Sequence, residues 1–265
     1  MKLRANGVEI NYALEGPAGA PVVTLSHSIA ADLTMWDPTV PALTERYRVL
    51  RYDVRGHGGS EAAPGEYSLE QLADDARALL GALGIARTHW VGLSLGGMIG
   101  QALALRAPEL LAGLVLCDTA SGMPPEMKPV WNERIALVQS GGADARFDDV
   151  LVRWFTPGFA QSHPDVVATT LAMIGRTSPR GFAGCAAAIR DLDFTERLPG
   201  IQLPTLLIVG EQDEATPPIA SQFMQALIKD AELVILPNAA HLSNIEQPEA
   251  FNRALATFLA RIEKA

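Results

Sequence analysis

The chain has 265 residues, of which 48% are hydrophobic and 19% are charged, and this composition excludes disorder, collagen and coiled coil. The mean hydropathy is only +0.14 and no apolar run approaches the roughly 18 residues that cross a bilayer, so we expect no membrane partner. The formal net charge of −9 opposes contact with phosphate backbones, so we expect no nucleic-acid partner.

Seven strands are predicted in chain order. Residues 8–14 alternate apolar and polar side chains, which is typical of a half-buried strand. Six later runs are short and continuously apolar, as in parallel strands covered on both faces; they span residues 21–25, 48–52, 88–93, 111–117, 205–209 and 232–236.

Helical patterns lie between these strands. Ser68 and Gln71 form a capping box at the start of a helix that ends near Gly84. Further helices are predicted over residues 95–106 and 248–262, the second with a proline in its first turn. Alternating strands and helices predict an α/β fold with a mostly parallel twisted sheet and helices on both faces.

The alternation stops over residues 121–192, where proline and glycine punctuate helical patterns and no strand is evident. We interpret this segment as a cap of four helices inserted into a core of residues 1–120 and 193–265. Residues 121–190 of this segment carry a net charge near +1, whereas the remainder of the chain carries about −10. Most of its arginines are expected on solvated helix faces.

The strongest motif is Gly92-Leu93-Ser94-Leu95-Gly96, which follows an apolar strand and opens a helix. A nucleophile elbow needs this context, because the serine occupies a tight turn from strand to helix and the glycines remove clashing Cβ atoms. The following helix N-terminus supplies backbone N–H groups and a positive dipole end. Ser94 is therefore the candidate nucleophile.

A nucleophilic serine needs a base and an acid that orients the base, and in this fold both follow the serine, acid first. His163 lies in the cap and is interpreted as a surface residue, whereas His241 follows the last strand and is the candidate base. Asp213 follows the strand of residues 205–209 and is the candidate acid. Asp118 also ends a strand after Ser94, so it stays open as the alternative acid.

An oxyanion hole needs two backbone N–H donors. We expect one from Leu95, directly after the nucleophile, and the other from Ile29 in the loop after the strand of residues 21–25. His27 and His57 precede Ser94, so we predict that they make structural hydrogen bonds in tight turns rather than act as the base.

The sequence predicts no cofactor and no metal. The glycine-rich turn around Gly56 lacks the patterns that cradle phosphate, and no cluster has the spacing of metal ligands. Cys117 and Cys185 are interpreted as reduced, packed thiols. The N-terminal residues contain no apolar export segment, so we expect a cytoplasmic protein.

Residues 53–60, DVRGHGGS, match a turn that is characteristic of the α/β-hydrolase superfamily, and the chain resembles this superfamily along nearly its whole length. Within the superfamily it most resembles the 3-oxoadipate enol-lactonases. The supporting stretches are SIAADLTMWD at 28–37, LRYDVRGHGGS at 50–60, GLSLGG at 92–97, DTA at 118–120, WNERI at 131–135, RWFTP at 153–157, GCAAAIRDLD at 184–193 and AHLSN at 240–244. The first loop departs from the family, with His27 where asparagine is usual.

The resemblance implies a serine hydrolase that opens a small anionic enol-lactone through an acyl-enzyme, yielding 3-oxoadipate in aromatic catabolism. The acetate arm of such a substrate needs a cation or strong donors once water is excluded. We expect Arg134 in the cap to bind this arm, with Trp154 as a rigid wall and Arg180 as the second candidate cation.

The same three catalytic residues serve other reactions, so several functions stay open. A carboxylesterase, a hydrolase of carbon–carbon bonds and a perhydrolase would differ only in the cap and pocket. A ligand receptor that retains slow hydrolase activity is the alternative outside enzyme function.

Overall fold

The computed structural model describes residues 1–140 and 153–264, and its centre is one eight-stranded sheet. The strand order is β1-β2-β4-β3-β5-β6-β7-β8; β2 pairs antiparallel with both β1 and β4, and all other neighbouring strands pair parallel. The strands are β1 (Lys2–Ala5), β2 (Val8–Glu15), β3 (Val22–Ser26), β4 (Arg48–Tyr52), β5 (Thr88–Leu93), β6 (Leu111–Cys117), β7 (Thr205–Gly210) and β8 (Glu232–Leu236).

The continuously apolar runs form the centre of this sheet. Every residue of β5 and β7 is buried, because helices cover both faces of the parallel strands. The prediction of an α/β fold with a mostly parallel sheet is thus confirmed. The edge strand β1 was not predicted, since its four residues carry two exposed basic side chains and bury only Ala5.

Ten α-helices fall within the described residues, and we number them in chain order. They are α1 (Val40–Leu43), α2 (Leu69–Ala82), α3 (Leu95–Arg106), α4 (Lys128–Gln139), α5 (Pro157–Ser162), α6 (Pro164–Ile174), α7 (Pro179–Arg190), α8 (Pro218–Leu227), α9 (Ser243–Glu246) and α10 (Pro248–Ile262). The predicted bounds of α3 and α10 are confirmed, and Ser68 Oγ caps α2 by accepting a 3.1 Å bond from Gln71 N.

The helices α4 to α7 lie in the segment inserted between β6 and β7, and α4 packs against α7. The two ends of this segment run side by side: Met123 N donates to Leu192 O at 3.0 Å, and Phe194 N donates to Ser121 O at 2.7 Å. The chain therefore leaves and re-enters the core at one place. This supports the interpretation of residues 121–192 as an inserted cap, of which residues 141–152 lie outside the described part.

The fold brings the candidate functional residues to one edge of the sheet. Ser94, Asp118 and the loops that carry Asp213 and His241 all follow the carboxyl ends of parallel strands. Ligands of open α/β sheets bind at this edge, because the loops there converge above the strands. Both cysteines are buried and unpaired, as predicted.

Within the described residues, none of the helices has the length and apolar character needed to cross a membrane.

Candidate active site

Ser94 occupies a strained turn between β5 and α3. Its φ of 54° and ψ of −112° lie outside the regions that side-chain-bearing residues favour, and Met98 N donates to its carbonyl at 3.0 Å as the helix begins. A Cβ at Gly92 would lie 2.1 Å from Gly96 O, and a Cβ at Gly96 would lie 2.1 Å from Ser26 O. The motif thus contains glycine where the close approach of backbone leaves no room for a side chain.

His241 and Asp213 form a buried hydrogen-bonded pair, with 2.9 Å between His241 Nδ1 and Asp213 Oδ2. Asp213 Oδ1 also accepts from Ala215 N at 2.8 Å, and Thr216 Oγ1 donates to Oδ2 at 2.7 Å. Burial raises the pKa of Asp213, but His241 and the hydrogen bonds from the backbone and side chain of Thr216 outweigh burial, so the pKa lies below its ordinary value. The aspartate is therefore held as a carboxylate that can orient an imidazole.

Asp118 has a different set of partners. It is fully buried with a φ of 43°, its Oδ1 accepts from Gly210 N at 2.8 Å, and Ser243 Oγ donates to its Oδ2 at 2.6 Å. Burial and the nearby Asp213 raise its pKa well above the ordinary value. Asp118 thus ties β7 to α9, while the imidazole Nδ1 is bound to Asp213. The geometry favours Asp213 as the acid.

The loop after β3 presents Ile29 to the same region. Ala31 N donates to Ser28 O at 3.2 Å, which closes a tight turn around Ile29. Val54 N donates to His27 Nε2 at 2.8 Å, so the proton lies on Nδ1, which donates to Ser28 O at 2.7 Å. His27 therefore has the structural role predicted for it, and its bond fixes the peptide group that contains the Ile29 N–H.

His57 is fully buried beside His27, with ring centroids 5.5 Å apart, and its Nδ1 donates to Arg55 O at 3.1 Å. His57 therefore makes a structural hydrogen bond within its turn, as predicted. His163 in the cap is exposed, as predicted, and stacks on Phe159 with a centroid distance of 4.3 Å. Neither imidazole lies among the described residues that line the cavity beside Ser94.

The burial of His57 predicts acid sensitivity. Burial, followed by the nearby His27, lowers the pKa of His57 from 6.5 to about 3. Between pH 6.5 and 3 the imidazole of His57 is protonated in the unfolded chain but neutral in the folded chain. The free energy of unfolding therefore falls as the pH drops from 6.5 toward 3. We expect His57→Asn to flatten this dependence in urea unfolding measured at several pH values. The matched exposed variant His163→Asn is expected to retain the wild-type slope; equal slopes for all three proteins would contradict the assignment.

A cavity of about 440 Å³ lies over Ser94 and His241, between the core and the cap. Most of its described lining side chains are apolar, and the charged ones are Arg134, Arg153 and Glu214. The full described lining is Ile29, Ser94, Met98, Ala120, Gly122, Met123, Pro124, Met127, Trp131, Arg134, Arg153, Trp154, Phe182, Ile189, Glu214, Ala215, Thr216, Pro217, Ile219, Ala220 and His241.

Two of the three predicted substrate-binding residues line this cavity. Trp154 is 3% exposed, and the Arg134 guanidinium lies 5.0 Å from the centroid of the Trp131 ring. Arg180 is exposed and does not line the cavity, because α7 turns the face with Phe182 and Ile189 toward the cavity instead. The expectation for Arg180 is corrected accordingly.

Arg153 is a lining residue that sequence reasoning missed. The only signal was its place in the stretch RWFTP, beside Trp154. Among the residues that the structure describes, no group of three or more histidine, cysteine, aspartate or glutamate side chains could hold a metal ion.

The parallel sheet and the serine in a strained turn between strand and helix are typical of one class of hydrolase. A family model for the alpha/beta hydrolase fold matches residues 21–248. The chain belongs to the α/β-hydrolase family and is a hydrolase of that family, as the motifs predicted.

Three comparisons describe its relatives. The 3-oxoadipate enol-lactonase 2 of Acinetobacter baylyi is 35% identical over 98% of this chain and 96% of its own length. The crystal structure of the enol-lactonase from Burkholderia xenovorans LB400 matches with a TM-score of 0.94 and 39% identity, covering 98% of this chain and 100% of that one. The putative carbamate hydrolase RutD of Variovorax paradoxus is 32% identical over 96% of this chain and 97% of its own length. The predicted resemblance to the enol-lactonases is confirmed.

Proposed function

We propose that this hydrolase opens a small anionic enol-lactone, the 3-oxoadipate enol-lactone, with Ser94 as nucleophile, His241 as base and Asp213 as the acid that orients the base. The observation that carries the proposal is the cavity, in which Ser94 and His241 share an apolar chamber with Arg134 and Arg153. Its volume of about 440 Å³ suits a small ligand. The similarity to enol-lactonases supports the same substrate.

Ring opening needs each of the named groups in turn. Because Asp213 binds His241 at Nδ1, Nε2 is the nitrogen available to take the proton from Ser94 Oγ as this oxygen attacks the lactone carbonyl. The N–H groups of Ile29 and Leu95 stabilise the oxyanion. The ring C–O bond then breaks, the enol oxygen leaves with the proton from His241, and the enol tautomerises to the ketone.

Hydrolysis of the acyl-enzyme repeats the sequence with water. His241 takes a proton from the water as it attacks the Ser94 ester, and then returns that proton to Ser94 Oγ as 3-oxoadipate leaves. The scheme needs no cofactor and no metal. The helix dipole of α3 adds to the stabilisation of negative charge beside Ser94.

The cap accounts for selectivity toward an anion. A carboxylate that enters a mostly apolar chamber loses its hydration and needs charged hydrogen bonds in exchange. Arg153 and Arg134 supply two guanidinium groups, and the buried Trp154 forms a rigid wall beside Arg153. A neutral ester gains nothing from these arginines.

The test is turnover of fresh enol-lactone, followed by loss of its ultraviolet absorbance after subtraction of spontaneous hydrolysis, beside the neutral ester p-nitrophenyl acetate. We expect fast lactone turnover and poor ester turnover. A turnover number above about 1 s⁻¹ would also exclude a receptor that only cleaves its ligand slowly. Ester turnover without lactone turnover would refute the proposed substrate.

The cap arginines give a prediction about binding. We expect Arg134→Ala and Arg153→Ala each to weaken lactone binding by about 1.5–3 kcal/mol, the range for a hydrogen bond to a charged group. This corresponds to an increase in KM of about tenfold or more. Arg180→Ala is the matched control, since this cap arginine is exposed outside the cavity and should leave KM unchanged. Wild-type KM values in both cavity variants would remove the arginines from substrate binding.

A carbamate or neutral ester is the second candidate substrate. The similarity to the putative carbamate hydrolase RutD favours it, as does the predominance of apolar residues in the described cavity lining. The assay with the lactone and p-nitrophenyl acetate distinguishes the two candidates. If the natural substrate is neutral, the ester would be turned over faster than the lactone, and Arg153→Ala would leave the turnover of the ester unchanged.

A further inference from the structure

A buried carboxylate connects the loop that carries His241 to the cap. Glu246 ends α9 and is 5% exposed. Its Oε2 accepts a bond of 2.5 Å from Ala240 N, and its Oε1 accepts bonds of 2.9 Å from Thr156 N and 2.8 Å from Thr156 Oγ1. Both oxygens of a carboxylate accept, so one side chain satisfies donors from two separate segments.

The backbone is held on both sides of His241. Ala240 N–H is bound by Glu246, which also binds Thr156, and Leu242 N donates directly to Trp154 O at 3.0 Å. Trp154 and its neighbour Arg153 line the cavity. The His241 loop and this wall of the cap are therefore one hydrogen-bonded unit, joined at two points.

We propose that Glu246 is a positioning residue for His241 and couples the base to the cap wall that the substrate contacts. The proposal rests on the proposed function, which assigns His241 as the base. Asp213 fixes the imidazole ring through Nδ1, while Glu246 fixes the backbone from which the ring projects. Together they set the direction of Nε2.

The first test compares Glu246→Gln with the matched control Glu249→Gln, an exposed carboxylate three residues further on. Glutamine has the same size but accepts at one oxygen only, so either Ala240 N–H or the Thr156 donors lose their partner. A misplaced catalytic group costs up to about 10²-fold in rate. We expect kcat per titrated active site to fall by about 10- to 10²-fold in Glu246→Gln with KM changed less than about twofold. Glu249→Gln should match the wild type.

Two further measurements separate positioning of His241 by Glu246 from a role in stability alone. The downfield proton resonance of the His241–Asp213 hydrogen bond should shift or broaden in Glu246→Gln. The rate at which a fluorophosphonate labels Ser94 should fall together with kcat, because labelling also needs the base. A lowered melting temperature with unchanged kcat per site, resonance and labelling rate would overturn the proposal.

A second pair of variants tests the connection with Glu246 intact. The Thr156 hydroxyl donates to Glu246 and also caps α5 by accepting from Phe159 N at 3.3 Å. Thr156→Val removes both bonds, whereas Thr156→Ser retains both. We expect kcat to fall in the valine variant and to stay at the wild-type value in the serine variant; equal values in both would refute coupling through Thr156. All rates are measured on p-nitrophenyl acetate as well as the lactone. Failure of the lactone alone would refute the proposed substrate, and the effect of Glu246 would still be read on the ester and on labelling.

Discussion

Replacing Ser94 or His241 with alanine is expected to lower kcat by at least about 10³-fold, by comparison with substitutions in other hydrolytic triads. Ser94→Ala removes the atom that forms the acyl-enzyme. His241→Ala leaves the serine hydroxyl without a base, and a hydroxyl is a weak nucleophile at neutral pH. The oxyanion donors remain in both variants, so a residual rate above that in water is also expected.

Covalent labelling of Ser94 provides a control for the loss of activity. A fluorophosphonate should modify wild-type protein at Ser94 and should leave Ser94→Ala unmodified. Ser94→Ala should retain the wild-type melting temperature within a few degrees, because it removes a single oxygen at the cavity floor. His241→Ala leaves the buried Asp213 carboxylate without its imidazole partner, so a lower melting temperature is expected and folding at the assay temperature is checked by circular dichroism. Near-wild-type turnover in either folded variant would contradict the proposed mechanism.

The second large effect separates the two candidate acids. Asp213→Asn is expected to lower kcat by about 10⁴-fold, as the corresponding change does in serine proteases. An amide in place of Asp213 turns the imidazole to the wrong tautomer and no longer stabilises its positive form. With its oxygen facing Ala215 N, the amide places its nitrogen at the Oδ2 position, where it can donate to Thr216 Oγ1 but cannot accept from His241 Nδ1.

Asp118→Asn should be mild by comparison. Burial and the Asp213 carboxylate raise the pKa of Asp118 well above its ordinary value, so the surroundings oppose a negative charge there and should tolerate a neutral amide of the same shape. Its oxygen can still accept from Gly210 N, and its nitrogen can donate to Ser243 Oγ. We expect kcat within about threefold of wild type. The reverse pattern, with Asp118→Asn severely impaired and Asp213→Asn active, would transfer the role of acid to Asp118.

Most of the core could be predicted because each element has a strong local pattern. The continuous apolar runs mark β5 and β7, which are buried throughout. The helix α8 was not predicted, although its apolar residues recur at helical spacing. Part of this apolar stripe faces solvent, since Ile219 and Phe223 are exposed and only Ser221 and Met224 are buried.

Some residues of the site could be predicted from local sequence, and others could not. Ser94, Asp213 and His241 are predictable because each follows a strand in a known order, and the sheet brings strand ends together. The difference between Arg153 and Arg180 is not predictable from local sequence, because the packing of the cap on the core decides which side chain faces the cavity. The role of Glu246 depends on a contact with Thr156, 90 residues away, which no local motif specifies.

Recognition of a substrate carboxylate by the cap is tested most directly by one measurement. This is the ratio of kcat/KM for the enol-lactone to kcat/KM for its methyl ester, in which the same ring carries an uncharged arm. We predict a ratio of at least about ten in favour of the carboxylate, since charged hydrogen bonds contribute about 1.5–3 kcal/mol. A ratio near one, or a preference for the methyl ester, would contradict recognition of the anion.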